Sequence, residues 1–143
     1  MKILVINGPN LARLDIRDSS IYGDLNYGEL QNLIQTAATK HGFEADVRQS
    51  DDEATIIGWL HEAADKKLPV IINPAAFTHY SYAIRDAAEL AKAPLIEVHL
   101  SNPLSREEFR HTSVIAGVAN GTIAGFGPNS YVLAIIALKN LIG

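Results

Sequence analysis

A chain of 143 residues is expected to form one domain, long enough to bury roughly 68% of its unfolded surface without covalent staples. The absence of cysteine excludes disulfides, thiolate nucleophiles and zinc–thiolate sites. A formal net charge of -4 with no basic stripe argues against nucleic acid and anionic membranes as partners.

Lys2 to Ile6 is a continuous apolar run, the pattern of a strand covered on both faces, and Asn7-Gly8-Pro9-Asn10 ends it with turn residues. The run is too short for a signal peptide or a membrane span, so a cytoplasmic protein is expected. Leu11 to Gly23 reads as a long polar loop with no helical or strand period, holding Arg13, Arg17, Tyr22 and several acids. Such loops in compact domains are often lids or binding loops; a floppy surface loop fits the same residues equally well.

Asn26-Tyr27-Gly28-Glu29 reads as a capping box, followed by Leu30, Leu33, Ile34, Ala37 and Ala38 at helical spacing and by Gly42 after the last turn. Phe43 to Arg48 is a shorter, more polar strand, expected at a sheet edge. Ser50-Asp51-Asp52-Glu53 reads as a second capping box, before a helix turning Ile56, Ile57, Leu60, Ala63 and Ala64 inward. Trp59 and His61 are expected to pack or to sit at the surface.

Pro69 to Ile72 is the third strand, ending in the cluster Asn73-Pro74-Ala75-Ala76-Phe77-Thr78-His79-Tyr80-Ser81. A helix from about Ser81 to Ala91 follows, with Asp86 in it; Leu95 to Val98 opens the fourth strand. Asn102 to Ser113 is irregular and polar, with Arg106, Arg110 and His111. Gly121 to Phe126 reads as a fifth strand, and Tyr131 to Ile142 as a helix apolar almost all round, which suggests burial between subunits. The alternation of strands and helices implies α/β architecture: a flavodoxin-like, doubly wound, five-stranded parallel sheet of order 2-1-3-4-5. Its switch point lies between the first and third strands, where Asn10, Asn73, His79, His99 and Ser101 converge.

The stretch Pro94 to Asn102 organises the chemistry. Glu97 and His99 stand two apart on a strand, so both side chains leave one face. A carboxylate beside an imidazole fixes its tautomer and favours imidazolium, which suits a general acid. The Walker pattern is absent and Gly8 stands alone, so no phosphate or dinucleotide site is indicated; Gly125-Phe126-Gly127 reads as a tight turn. The five histidines lack metal-ligand spacing, so no metal is expected, and Ser101 lies in nothing like a nucleophile elbow.

What remains is a tyrosine and arginine on one loop, a His–Glu pair, and neutral donors such as Asn73 and Ser101. That set suits proton transfer on a small polar substrate without a cofactor. A phenol serves as a base only once ionised, normally near pH 10. An arginine about 4 Å away contributes roughly 4 kcal/mol towards that at an effective dielectric of about 20, and Arg17 and Tyr22 share a loop able to bring them together. The rival reading is a non-enzymatic small-ligand-binding or signalling module on the same sheet. Against a receiver-type module, Asn7-Gly8-Pro9-Asn10 holds no acid; against a flavin carrier, it offers no phosphate loop.

These residues closely resemble the type II 3-dehydroquinate dehydratases, nearly end to end. The matching motifs are Asn7-Gly8-Pro9-Asn10-Leu11, Arg17, Ile21-Tyr22-Gly23, Gln49-Ser50, Trp59-Leu60-His61, Asn73-Pro74 through Thr78-His79, Arg85-Asp86-Ala87, Glu97 through Asn102, and Glu108-Phe109-Arg110-His111. The resemblance implies dehydration of 3-dehydroquinate to 3-dehydroshikimate through an enolate, with neither metal nor Schiff base. It implies that Tyr22 removes the C2 proton with help from Arg17, and that Asn10 holds a water that stabilises the enolate. His99, oriented by Glu97, would protonate the leaving C1 hydroxyl. Asn73, the Leu100 amide and Ser101 would hold the carboxylate, His79 and Arg110 the ring hydroxyls, and Asp86 would reach a neighbouring subunit's site. It also implies trimers stacked into a homo-dodecamer. The sequence departs from the family pattern at Asp15, at Asp18-Ser19 where Glu-Pro is usual, at Ala75 for glycine, at Tyr80 for threonine and at Leu104 for histidine.

Overall fold

The computed structural model describes residues 1–143. Five strands, β1 (Lys2–Asn7), β2 (Glu44–Gln49), β3 (Val70–Asn73), β4 (Leu95–His99) and β5 (Gly121–Ala124), form one sheet in the order β2-β1-β3-β4-β5. Every pairing is parallel, as the strand–helix alternation requires. The helices are α1 (Ser19–Tyr22), α2 (Tyr27–Lys40), α3 (Glu53–Lys66), α4 (Tyr82–Glu89) and α5 (Asn129–Ile142).

Side chains alternate across the sheet and so divide the core in two. Ile3 and Val5 of β1, Ile71 of β3 and Ile96 and Val98 of β4 pack with Leu30, Ile34 and Ala38 of α2 and Tyr131, Ala134, Ile135 and Leu138 of α5. Leu4, Ile6, Val70, Ile72 and Leu95 point the other way, onto Ile56, Leu60 and Ala63 of α3 and Ile84, Ala87 and Ala88 of α4. Glu97 and His99 share the face of Leu95, so a polar pair continues an apolar row towards the carboxyl end of β4.

The edge strand β2 is half-buried, and Arg48 ties it down by hydrogen bonds to Asp46 at 2.8 Å and Glu62 at 2.7 Å. The first capping box forms as expected: Glu29 N donates to Asn26 Oδ1 at 2.8 Å and Asn26 N to Glu29 Oε1 at 3.3 Å. The second does not. Asp52 caps α3, accepting from Thr55 N at 3.3 Å, while Glu53 accepts instead from Ser81 Oγ at the start of α4. Ser50 N donates to Asn7 O at 3.0 Å and the helix starts only at Glu53, so that carboxylate sits in the first position and ties α3 to α4. Within α3, Ile57 and Ala64 are only half-buried, and Trp59 lies under the Arg48 guanidinium at 5.7 Å. Leu11 to Gly23 also differs from the expected loop: Leu11–Ile16 forms 3-10 turns kinked at Arg13, and α1 follows. Leu11 and Leu14 are buried in the α2/α5 core, a period too short to stand out in sequence.

Candidate active site

The carboxyl ends of β1, β3 and β4 meet at the switch point. Gly8 N donates to Asn73 O at 2.8 Å, and a Cβ on Gly8 would stand 2.6 Å from the Pro74 carbonyl oxygen. Only glycine allows the two strand ends this close, and their contact carries Asn10 to the mouth of the cleft. Asn10 is left-handed at φ 70, a conformation asparagine tolerates, with its amide donating to Asp51 Oδ1 at 3.0 Å. Beyond it, buried Leu11 and Leu14 anchor the segment that brings Arg17 and Tyr22 to the cleft. The Arg17 guanidinium stacks 3.5 Å from the Tyr22 ring centroid, and that of Arg106 lies 5.0 Å away. Burial lowers the proton affinity of Arg17, Tyr22 opposes this, and the positive charges of Arg106 and Arg110 reinforce it.

His99 Nε2 lies 2.5 Å from Glu97 Oε2, which leaves Nδ1 as the ring nitrogen free for a ligand. Glu97 is 0% exposed, yet it is not bare. Thr78 Oγ1 donates to Oε2 at 2.5 Å and Ser113 Oγ to Oε1 at 2.8 Å. Burial alone would raise the Glu97 carboxyl; the hydrogen bonds and positive charge of His99, with the Thr78 and Ser113 hydroxyls, outweigh it and hold the group below the usual range. His79 Nδ1 lies 2.9 Å from the Thr112 carbonyl, and burial, reinforced by nearby His99 and Arg110, lowers its proton affinity.

One open cleft gathers Asn10, Arg17, Tyr22, Asn73, His79, His99, Ser101 and Arg110. Glu97 lies behind His99, Leu100 lines an adjoining cavity, and Asp86 is exposed on α4, bonded to Arg85 at 3.2 Å and outside this chain's cleft. The structure adds Arg106, whose Nη1 donates to Ser101 Oγ at 3.1 Å and whose buried Nε makes no hydrogen bond, lying 3.8 Å from Glu107 Oε1. Its charge in a net-negative chain, four residues before Arg110, was the available signal. Thr78, although within a matching motif, gave no sign of its contact with Glu97, and Ser113 and Tyr131 gave no signal, because these roles arise between distant segments. Tyr131, fully buried, donates to Asn7 Oδ1 at 2.6 Å and accepts from Asn73 Nδ2 at 2.9 Å, fixing which way the Asn73 amide faces. Three guanidiniums line the cleft and no carboxylate does; Glu107 outside it pairs with Arg110 at 3.1 Å and with Arg106 at 3.8 Å, which leaves the wall net positive and favours an anion.

The unusual positions have local explanations. Ala75 is left-handed at φ 53, the conformation that favours glycine. Asp18 caps α1, accepting from Ser20 N at 3.0 Å. Asp15 pairs with Arg13 on the surface, and Tyr80 and Leu104 are exposed. No helix is long and apolar enough to cross a membrane.

A flavodoxin-like sheet with a cleft of ionisable side chains at its switch point defines a class, the α/β proteins that take a ligand at the carboxyl ends of their strands. The match to known proteins is closer than that class. A family model described as dehydroquinase class II covers residues 1–139. The 3-dehydroquinate dehydratase of Salinispora tropica is 51% identical over 135 residues, 94% of each chain, and that of Caldicellulosiruptor bescii 50% identical over 142 residues, 99% and 98% of the two chains. The crystal structure of the type II dehydroquinase from Propionibacterium acnes superposes with a TM-score of 0.95 at 47% identity, covering 97% of this chain and 96% of that one. The chain belongs to the class II dehydroquinase family.

Proposed function

We propose that this cleft dehydrates 3-dehydroquinate to 3-dehydroshikimate, making the chain a cofactor-independent hydro-lyase of the shikimate pathway or of quinate breakdown. The observation that carries the reading is a phenol stacked under Arg17 lining the same cleft as a Glu97-paired imidazole, with three guanidiniums and no carboxylate on the cleft wall.

Tyr22, as phenolate, takes the C2 proton, and the C–H electron pair moves onto the C3 carbonyl as an enolate. A cation about 4 Å away favours that phenolate by roughly 4 kcal/mol at an effective dielectric of about 20, and Arg17 is placed to supply it. Asn10 holds a water against the enolate oxygen. As the enolate collapses the C1–O bond breaks, and His99 passes its Nδ1 proton to the departing hydroxyl, which leaves as water. Glu97 occupies Nε2 and stabilises the imidazolium. Asn73, the Leu100 amide and Ser101 hold the substrate carboxylate, with Arg106 reinforcing Ser101. His79 and Arg110 bind the ring hydroxyls.

The single domain assembles as trimers stacked into a dodecamer in the cytoplasm, and Asp86 completes a neighbour's site. Exposed Tyr80, Tyr82, Leu104, Phe109 and Phe126, with Ile136 and Leu141 on α5, support assembly. The rival, a non-enzymatic binding or signalling module, has no use for a base and an acid in one cleft.

Adding 3-dehydroquinate and following the ultraviolet absorbance of the conjugated product tests the reading. Activity should survive a chelator, and also borohydride added with substrate. Tyr22→Phe should cut turnover by about 10²–10⁴-fold or more with stability unchanged. His99→Ala should cripple dehydration yet still exchange the C2 proton with solvent. It should also cost roughly 1–3 kcal/mol of stability, because it strips the buried Glu97 of a partner. A Tyr22→Phe enzyme that dehydrates at the wild-type rate would refute the assignment.

A further inference from the structure

We infer that Thr78 and Ser113 are positioning residues for the acid half of the reaction, holding the Glu97 carboxylate ionised and aimed at His99; the inference rests on the dehydration reading. The hydrogen-bond directions around Glu97 are forced. Ser113 Oγ accepts from Ile115 N at 3.1 Å and from Ala116 N at 2.9 Å, so both of its lone pairs are engaged. Its one hydrogen is left for Glu97, 2.8 Å from Oε1 and 3.0 Å from Oε2. Thr78 Oγ1 contacts only Glu97 Oε2 at 2.5 Å and Ser113 Oγ at 3.1 Å, and Thr78 is 1% exposed, so its hydroxyl cannot turn to solvent. With His99, the carboxylate therefore faces donors on both oxygens, an arrangement that stabilises the ionised form.

The two hydroxyls come from separate segments that converge only at Glu97. Thr78 belongs to the turn after β3 that also carries His79, and Ser113 ends the segment carrying Arg106 and Arg110. Val114 N donates to Thr78 O at 2.8 Å and stitches the two together. The charged or titratable groups facing the carboxylate are His99 on its own strand, and His79, Arg110 and His111 from these two segments. A shift in the hydroxyls would thus reach the acid and not Tyr22, which stands on a different segment.

The test is a double-mutant cycle read through two rates, product formation and exchange of the substrate C2 proton with solvent. Thr78→Val removes the hydroxyl at nearly constant shape and spares every backbone bond. It should slow dehydration about tenfold, as expected for one lost hydrogen bond to a charged group, while C2 exchange keeps its rate. In a Glu97→Gln background the same substitution should change nothing further, since its effect passes through the carboxylate. Ser113→Ala orphans two amides as well and is expected to lose stability, so Ser113→Thr, which keeps the hydroxyl, should restore dehydration. Equal losses in both backgrounds, or exchange and dehydration falling together, would overturn the inference. A wild-type protein that neither exchanges nor dehydrates would sink the dehydratase reading itself, and the inference with it.

Discussion

Tyr131→Phe deletes one hydroxyl from the centre of the molecule and should be more damaging than its size implies. Tyr131 and Asn7 are both 0% exposed and Asn73 is 3% exposed, so no water replaces what is lost. The substitution strips Asn7 Oδ1 of a donor at 2.6 Å and Asn73 Nδ2 of an acceptor at 2.9 Å. An orphaned buried group costs about 1–3 kcal/mol, so two cost about 2–6 kcal/mol, reduced because the hydroxyl itself no longer needs desolvating. A loss of roughly 3 kcal/mol is expected. The ring stays, so no large cavity adds to it. Tyr27→Phe is the internal control: its hydroxyl accepts from the other hydrogen-bonding end of the same Asn7, Nδ2, but at 3.4 Å and half-buried, so less than about 1 kcal/mol is at stake. Urea titrations of both variants, at one subunit concentration because assembly would couple to stability, give the comparison. Equal midpoints for the two variants would show that the Asn7–Tyr131–Asn73 chain is not the buried network described.

Three further outcomes are expected. Light scattering should give a mass far above 15.5 kDa, and Asp86→Asn should weaken substrate binding without changing that mass; a stable monomer retaining full activity would refute both the assembly and the role of Asp86 across it. Stability should fall on acidification in two stages. Burial lowers the proton affinity of His79, so the unfolded chain takes up its proton first as pH falls below about 6.5; Glu97, held below the usual range near 4.3, contributes stability above that value and loses it as pH falls further. His79→Asn should flatten the upper stage and Glu97→Gln the lower, and urea midpoints that keep the wild-type pH slope in both variants would contradict these signs. Ala75→Gly should stabilise by about 0.5–1 kcal/mol, since relief of a left-handed alanine, worth about 1–2 kcal/mol, exceeds the entropy glycine adds to the unfolded chain. A lower melting temperature would count against the strain.

Local chemistry that repeats along the chain was legible from the sequence alone. Apolar runs and helical spacing gave the alternation of strands and helices, and with it the parallel sheet and its switch point, because burial imposes those periods directly. The period of two at Glu97 and His99 placed carboxylate and imidazole on one face of β4. The motifs around Asn10, Tyr22 and Asn73 located a cleft that the fold then closes around them. Partners drawn from distant segments were decided only by the tertiary structure. Glu53 satisfied the local rule for a capping box and yet bonds Ser81, since the Ser50 amide donates to Asn7 O on β1 and the helix starts only at Glu53. Leu11 and Leu14 look like scattered apolar residues in a polar loop until α2 and α5 offer them a core. The hydroxyls of Thr78, Ser113 and Tyr131 carry no sign of their partners in sequence, because a hydroxyl acquires its role from whatever lies within about 3 Å of it, and that neighbour is chosen by the whole fold.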